Sequence, residues 1–158
     1  NRDIMSEAVK QSGRALRLAA PELREDRDLV LRAVRNAGLV LEFAAHHLRE
    51  DRAIVLAAVK QTWEAIKFAG TELRGDREIG IEAVRQSWRA LYYLDDDLRV
   101  DREILTEAVA QTWEALKYTK GQCQDREIAL AAVRQNWEAF KELGKELRSD
   151  REVMLLAV

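Results

Sequence analysis

The chain has 158 residues, 47% of them hydrophobic and 34% charged, enough apolar material to bury a core and enough charge to keep the surface wet. Its formal charge of −2 gives no global basic excess of the kind that draws a protein to nucleic acid or anionic lipid, and no apolar run is long enough for a membrane span or a secretory leader. A single cysteine, Cys123, excludes an internal disulfide framework and a cysteine-rich zinc site and favours a reducing, intracellular compartment.

One proline and seven glycines favour helices throughout, and the order of those helices is set by an internal repeat. The pair Asn1-Arg2 is a degenerate first copy of a start signal that returns as Asp26-Arg27, Asp51-Arg52, Asp76-Arg77, Asp101-Arg102, Asp125-Arg126 and Asp150-Arg151. An Ala-Val pair stands at positions 8 and 9 of every copy, from Ala8-Val9 to Ala157-Val158. The copies are residues 1–25, 26–50, 51–75, 76–100, 101–124 and 125–149, with a partial copy at 150–158, all in one array.

Within a copy the first predicted element is a helix over positions 2 to 11. Asp at position 1 is a good N-cap, the acid usual at position 3 complements the helix dipole, and apolar residues at 4, 5, 8 and 9 make one face, as in Ile54, Val55, Ala58 and Val59. A second start signal comes at position 12, where Ser12, Thr62, Ser87, Thr112 and Asn136 can cap a helix with apolar positions 15, 16, 18 and 19. Pro21, Gly70 and Gly144 interrupt it near position 20, and a leucine at position 23 closes the copy. Two short helices per copy make a hairpin that cannot bury both apolar faces alone, so each copy must lean on its neighbours. The expected fold is an all-α solenoid of stacked hairpins. The last copy stops at position 9 with Val153, Met154, Leu155 and Leu156 lacking a second helix, which suggests a fragment of a longer array and leaves end-to-end contact open.

The string D-R-E-I-x-L-x-A-V-[KR]-Q-x-W-x-A-[LI]-x-[FY], closed by E-L-R before the next D-R, resembles a tandem-repeat family of unknown function that is widespread in protists and algae. The resemblance spans essentially the whole chain. It implies multi-copy helical arrays and carries no activity, cofactor or site residue with it. Asn1 in place of the leading Asp, a residue missing from copy five, and the Gly-to-Trp variation at position 13 depart from the pattern.

Position 13 holds Gly13 and Gly38, then Trp63, Trp88, Trp113 and Trp137. A site accepting either no side chain or an indole is not expected in a closely packed centre, so the tryptophans are placed at the hairpin corner, part exposed, as contacts for another protein or a multi-protein assembly. Arg24, Arg49, Arg74, Arg99 and Arg148 recur at position 24 and would line up as a stripe able to follow phosphates. The arginine at position 2 of every copy has at least one acid beside it and is expected to pair with carboxylates of adjacent copies.

His46 and His47 are adjacent and cannot share a metal; they read as a solvated helix end. Asp95, Asp96 and Asp97 lack the ligand spacing of a calcium loop and read as a helix terminus, while Cys123 reads as a small buried group in place of the closing leucine, with no base beside it. No phosphate loop, metal cluster or nucleophile-base set is written, so the sequence predicts neither an enzyme nor a cofactor. A non-catalytic interaction scaffold or structural subunit is the favoured reading. Polyanion binding along the arginine stripe is the alternative, with nucleic acid disfavoured by the flanking acids.

Overall fold

A computed structural model describes all residues, 1–158. Every regular element in it is helical. Each copy opens with a ten-residue α-helix, seen as Arg2–Gln11, Arg27–Asn36, Arg52–Gln61, Arg77–Gln86, Arg102–Gln111 and Arg126–Gln135, with a shorter Arg151–Leu156 at the end. The cap at position 1 forms as the sequence predicts. Asp51 Oδ1 accepts from the Ala53 and Ile54 amides at 2.9 and 3.1 Å, Asp26 accepts from Leu29 at 3.0 Å, and Asn1 accepts from Asp3 at 2.9 Å. Such caps contribute about 1 kcal/mol each. The helix stops at position 12, whose backbone turns extended, as at Thr62 with φ −159° and ψ 128°.

The remainder of the copy departs from the single α-helix expected there. Positions 13 to 18 form a 3-10 helix, as in Gly38–Phe43 and Trp88–Tyr93, and a one-turn α-helix then occupies positions 21 to 24 in copies one, two, four and six, as in Pro21–Arg24 and Asp96–Arg99, while copy three has a second 3-10 helix, Thr71–Gly75, there. The physical reason lies in the buried face. Positions 16 and 19 are buried in most copies, among them Leu16 and Ala19, Leu41 and Ala44, Ile66 and Ala69, while position 18 is only half-buried in copies two to six and Leu18 is 82% exposed. A stripe at intervals of three fits three residues per turn and not 3.6. The bonds agree: Ala15 donates to Ser12 and Ala19 to Leu16, both three residues back. Pro21, expected to interrupt a helix, instead starts one at its first position, where its missing N–H costs nothing.

Contacts divide the chain into two compact units, Asn1–Gln86 and Ser87–Val158, with the boundary inside copy four after its long helix. In the first unit the four long helices pack as consecutive neighbours, and the 3-10 helices of copies one to three form a second row against them. Its core is built from position 4, 5, 8, 9 and 16 side chains of copies two and three together with Val9, Leu16 and Ile79, and Val30, Ile54, Val59, Ile66 and Ile79 are fully buried in it. In the second unit the long helices of copies five and six and the partial seventh repeat the arrangement beside the 3-10 helices Trp88–Tyr93, Trp113–Thr119 and Trp137–Glu142, around Leu91, Ile104, Leu116 and Val153. Each unit is thus a stack of repeats, the all-α solenoid arrangement.

Copy five lacks the one-turn helix. After Thr119 the chain makes a tight turn through Lys120 (φ 52°) and Gly121 (φ 77°), both left-handed, and Cys123 fills the place of the closing leucine with 3% exposure. The free thiol is pushed above its ordinary pKa by burial.

Candidate functional site

Position 13 sits where one copy meets the next. In copies one and two it is tightly enclosed. A Cβ on Gly13 would stand 2.4 Å from the Ala33 carbonyl oxygen, and one on Gly38 would stand 2.3 Å from the Ala58 oxygen. Both oxygens belong to position 8 of the next copy. The expectation that position 13 lies outside the packed centre is therefore corrected for these copies: Gly13 and Gly38 are buried because backbone meets backbone there.

The indoles need more room, and the structure gives it to them at the edge. Trp63 in the first compact unit is half-buried, as are Trp88 and Trp113 in the second, and Trp137 is 56% exposed. Because their 3-10 helices stack in order, Trp88, Trp113 and Trp137 succeed one another along one side of the second unit. Trp88 is fixed from the next copy: its amide donates to Gln111 Oε1 at 2.8 Å, and its ring meets Tyr118 edge-on at 5.9 Å. Each of the three also carries a cation over its face. Arg89 lies 5.0 Å from the Trp88 ring centre, Lys117 4.8 Å from Trp113 and Lys141 4.4 Å from Trp137. Lys117 is further held by Glu114 at 3.0 Å and Lys141 by Glu138 at 3.8 Å. The edge is thus a row of stiff aromatic plates bordered by paired charges.

The position-24 arginines do different work from one copy to another. Arg24 donates to the Ala19 and Arg17 carbonyls at 3.0 and 2.9 Å, and Arg99 to those of Leu91 and Tyr92 at 3.0 and 3.2 Å. Arg74 reaches the Lys67 carbonyl at 2.8 Å. These bonds satisfy the C-terminal carbonyls of the 3-10 helix. Arg148 is exposed, and Arg49 makes no such bond.

Position-2 arginines cross from copy to copy. Arg27 meets Asp51 at 2.8 Å, Arg52 meets Asp76 at 2.7 Å, Arg102 meets Asp125 at 2.6 Å and Arg126 meets Asp150 at 2.9 Å, while Arg2 binds Asp26. Arg52, Arg102 and Arg126 also hold the position-3 acids Glu78, Glu127 and Glu152. The same carboxylate caps its own helix, so each aspartate is bound from two copies. Hydrogen bonding to Arg2 holds Asp26 below the ordinary carboxylate range, and at Asp51 and Asp76 burial pushes upward but is outweighed by the guanidinium and the cap amides.

Sequence reasoning passed over position 11. Asn36 Nδ2 donates to the Val9 carbonyl at 2.9 Å, Gln86 Nε2 to Val59 at 2.6 Å and Gln135 Nε2 to Val109 at 2.6 Å. An amide in the last turn of one long helix thus satisfies an orphan carbonyl of the preceding one. The signal was present, since Gln or Asn stands at position 11 in all six full copies.

His46 and His47 are exposed at the start of a one-turn helix, with His46 Nδ1 3.5 Å from Glu50. The acidic run, expected to terminate a helix, instead opens Asp96–Arg99, and Asp96 pairs with Arg99 at 2.9 Å and Lys120 at 3.3 Å. No helix is long and apolar enough to cross a membrane.

No curated protein and no solved structure matches the chain. The repeat that organises it does match: the profile of a domain of unknown function fits residues 1–49, 26–74, 51–99, 76–120 and 125–158, each window spanning two copies or parts of two and the first four overlapping. By that match, and by the stacking of its copies, the chain belongs to the family described as Domain of unknown function (DUF4116).

Proposed function

We propose that the chain is a non-catalytic scaffold that binds another protein through the indole edge. The observation that carries this reading is the row Trp88, Trp113 and Trp137, half-buried to 56% exposed, with a cation resting on each ring. Indoles anchored on one side and open on the other lose little side-chain entropy when a partner covers them, which is the physical basis of interface hot spots. Lys117 and Lys141, held by Glu114 and Glu138, form with Arg89 the polar rim such a contact needs.

The test compares the wild-type chain with Trp88→Ala, Trp113→Ala and Trp137→Ala as baits, identifying co-purifying proteins by mass spectrometry and measuring the affinity of any that recur. A hot-spot tryptophan should cost about 2 kcal/mol, close to thirtyfold in Kd. The circular dichroism signal at 222 nm should be retained, above all in Trp137→Ala, where least packing is lost. An unchanged set of partners bound with unchanged affinity by all three variants would remove the edge as the contact surface.

A further inference from the structure

We propose that copies two and three together form a site for a single phosphoryl group, in the pocket walled by His46, Arg49, Lys67 and Arg74. The pocket holds roughly 210 Å³ within the first compact unit. At about 30 Å³ per water in the liquid, that accommodates a phosphate monoester headgroup and little more.

Three cationic side chains point to an anion. Arg49 and Arg74 are position-24 arginines whose counterparts Arg24 and Arg99 turn Nε onto a carbonyl of the 3-10 helix at 3.0 Å. In copies two and three the same Nε atoms are buried with no acceptor. A buried guanidinium N–H without a partner destabilises the fold, and an oxyanion between the two arginines would draw both groups toward acceptors that the backbone does not supply. Lys67 is the third cation. Its counterparts Lys117 and Lys141 are tied to the acid three residues earlier, but Glu64, the acid available to Lys67, accepts the Thr62 hydroxyl instead. The Lys67 ammonium rests 4.6 Å above the Phe68 ring, exposed and able to swing to a ligand.

The charge is confined to this spot, which decides between one phosphate and many. Arg49, Lys67 and Arg74 face one carboxylate, Glu50, whose side chain is 57% exposed and lies by His46. Outside it the sign changes: position 17 of copy two is Glu42, the adjoining pocket is lined by Glu50 and Glu72, and Arg24 is already spent on carbonyls. A chain of phosphates would run onto acids within one repeat. A lone phosphate, free or carried on a phosphoserine side chain, meets mainly cations.

The experiment titrates the whole chain at constant ionic strength with inorganic phosphate, with a phosphoserine peptide and with the same peptide unphosphorylated, tracking backbone amide shifts and the thermal midpoint. Saturable binding of phosphate, of the phosphopeptide or of both is expected, with shifts confined to residues 46–50 and 67–74 and a midpoint that rises with the logarithm of ligand concentration. Binding by the phosphopeptide alone would identify a protein-borne group as the source; binding by both would identify the phosphoryl group itself. Lys67→Gln removes an exposed side chain and should weaken binding about tenfold, while Lys10→Gln should leave it unchanged. Arg49→Gln should abolish saturation. A non-saturating response to both ligands, equal binding of the unphosphorylated peptide, or equal responses of Lys67→Gln and Lys10→Gln would overturn the proposal.

Discussion

Replacing Gly38 by alanine tests whether the copies are set against each other backbone to backbone. The new Cβ would lie 2.3 Å from the Ala58 oxygen and 2.8 Å from Thr62 Cγ2, where ordinary contacts lie above 3.4 Å. Copy three must therefore retreat by about 1 Å at its position 8, dragging a helix whose Ile54, Val55, Ala58 and Val59 are fully buried. Overpacking of this sort costs about 1–3 kcal/mol, against which alanine regains about 0.4–1 kcal/mol by restricting the unfolded chain. The net loss is about 1–2 kcal/mol, and at about 2–4 °C per kcal/mol for a chain of this size the midpoint should fall by roughly 2–8 °C. Gly70→Ala supplies the opposite sign. Its Cβ would meet the Glu50 Cγ at 2.8 Å, a flexible side chain that can rotate aside, and its φ of −56° suits any residue. Thermal and urea melts at 222 nm should rank Gly70→Ala at or above wild type and Gly38→Ala below both. A Gly38→Ala chain as stable as Gly70→Ala would refute the claim that position 13 fixes the spacing of the first copies.

Gln86→Ala should cost about 1–2 kcal/mol by stranding the Val59 carbonyl, whereas Gln61→Ala, at an exposed residue with no such bond, should be close to neutral in the same melts. Acid should loosen the stack from its caps. Asp26, Asp51, Asp76, Asp125 and Asp150 are all held below their unfolded pKa, so their contribution is whole above about pH 4 and is lost as pH falls through the lower folded values. Melting midpoints taken from about pH 7 down to about pH 2.5 should stay level and then drop, and a profile still level at the acid end would contradict this. Cys123, 3% exposed with its thiol raised by burial, should react with a disulfide reagent far more slowly in the folded chain than in urea; equal rates would show that the turn at Lys120 and Gly121 does not seal it.

The long helices from copy two to copy six were legible because two independent signals agree on each, an aspartate placed to cap and an Ala-Val pair placed for the core. In sequence, positions 12 to 20 of the copy read as one α-helix because helix propensities do not distinguish α from 3-10. The spacing did carry the distinction, since Leu41 and Ala44, or Ile66 and Ala69, sit three apart with Phe43 and Phe68 left only half-buried between them. Arginine at position 24 looked uniform in sequence and is not uniform in space. Whether its Nε finds a carbonyl depends on ångström-scale placement of a neighbouring turn, which no residue pattern encodes, so the unsatisfied Nε atoms of Arg49 and Arg74 are visible only in the folded chain.

Position 13 shows why a repeat can keep its architecture while changing its surface. The long helices are aligned by contacts at positions 1, 2, 9 and 11, all of which persist when glycine gives way to tryptophan: Arg52 still meets Asp76 and Gln86 still meets Val59 across the junction that contains Trp63. Register and surface are therefore carried by different residues. That separation lets copies one and two present closed backbone at position 13 in the first unit, while the second unit presents Trp88, Trp113 and Trp137 as aromatic plates.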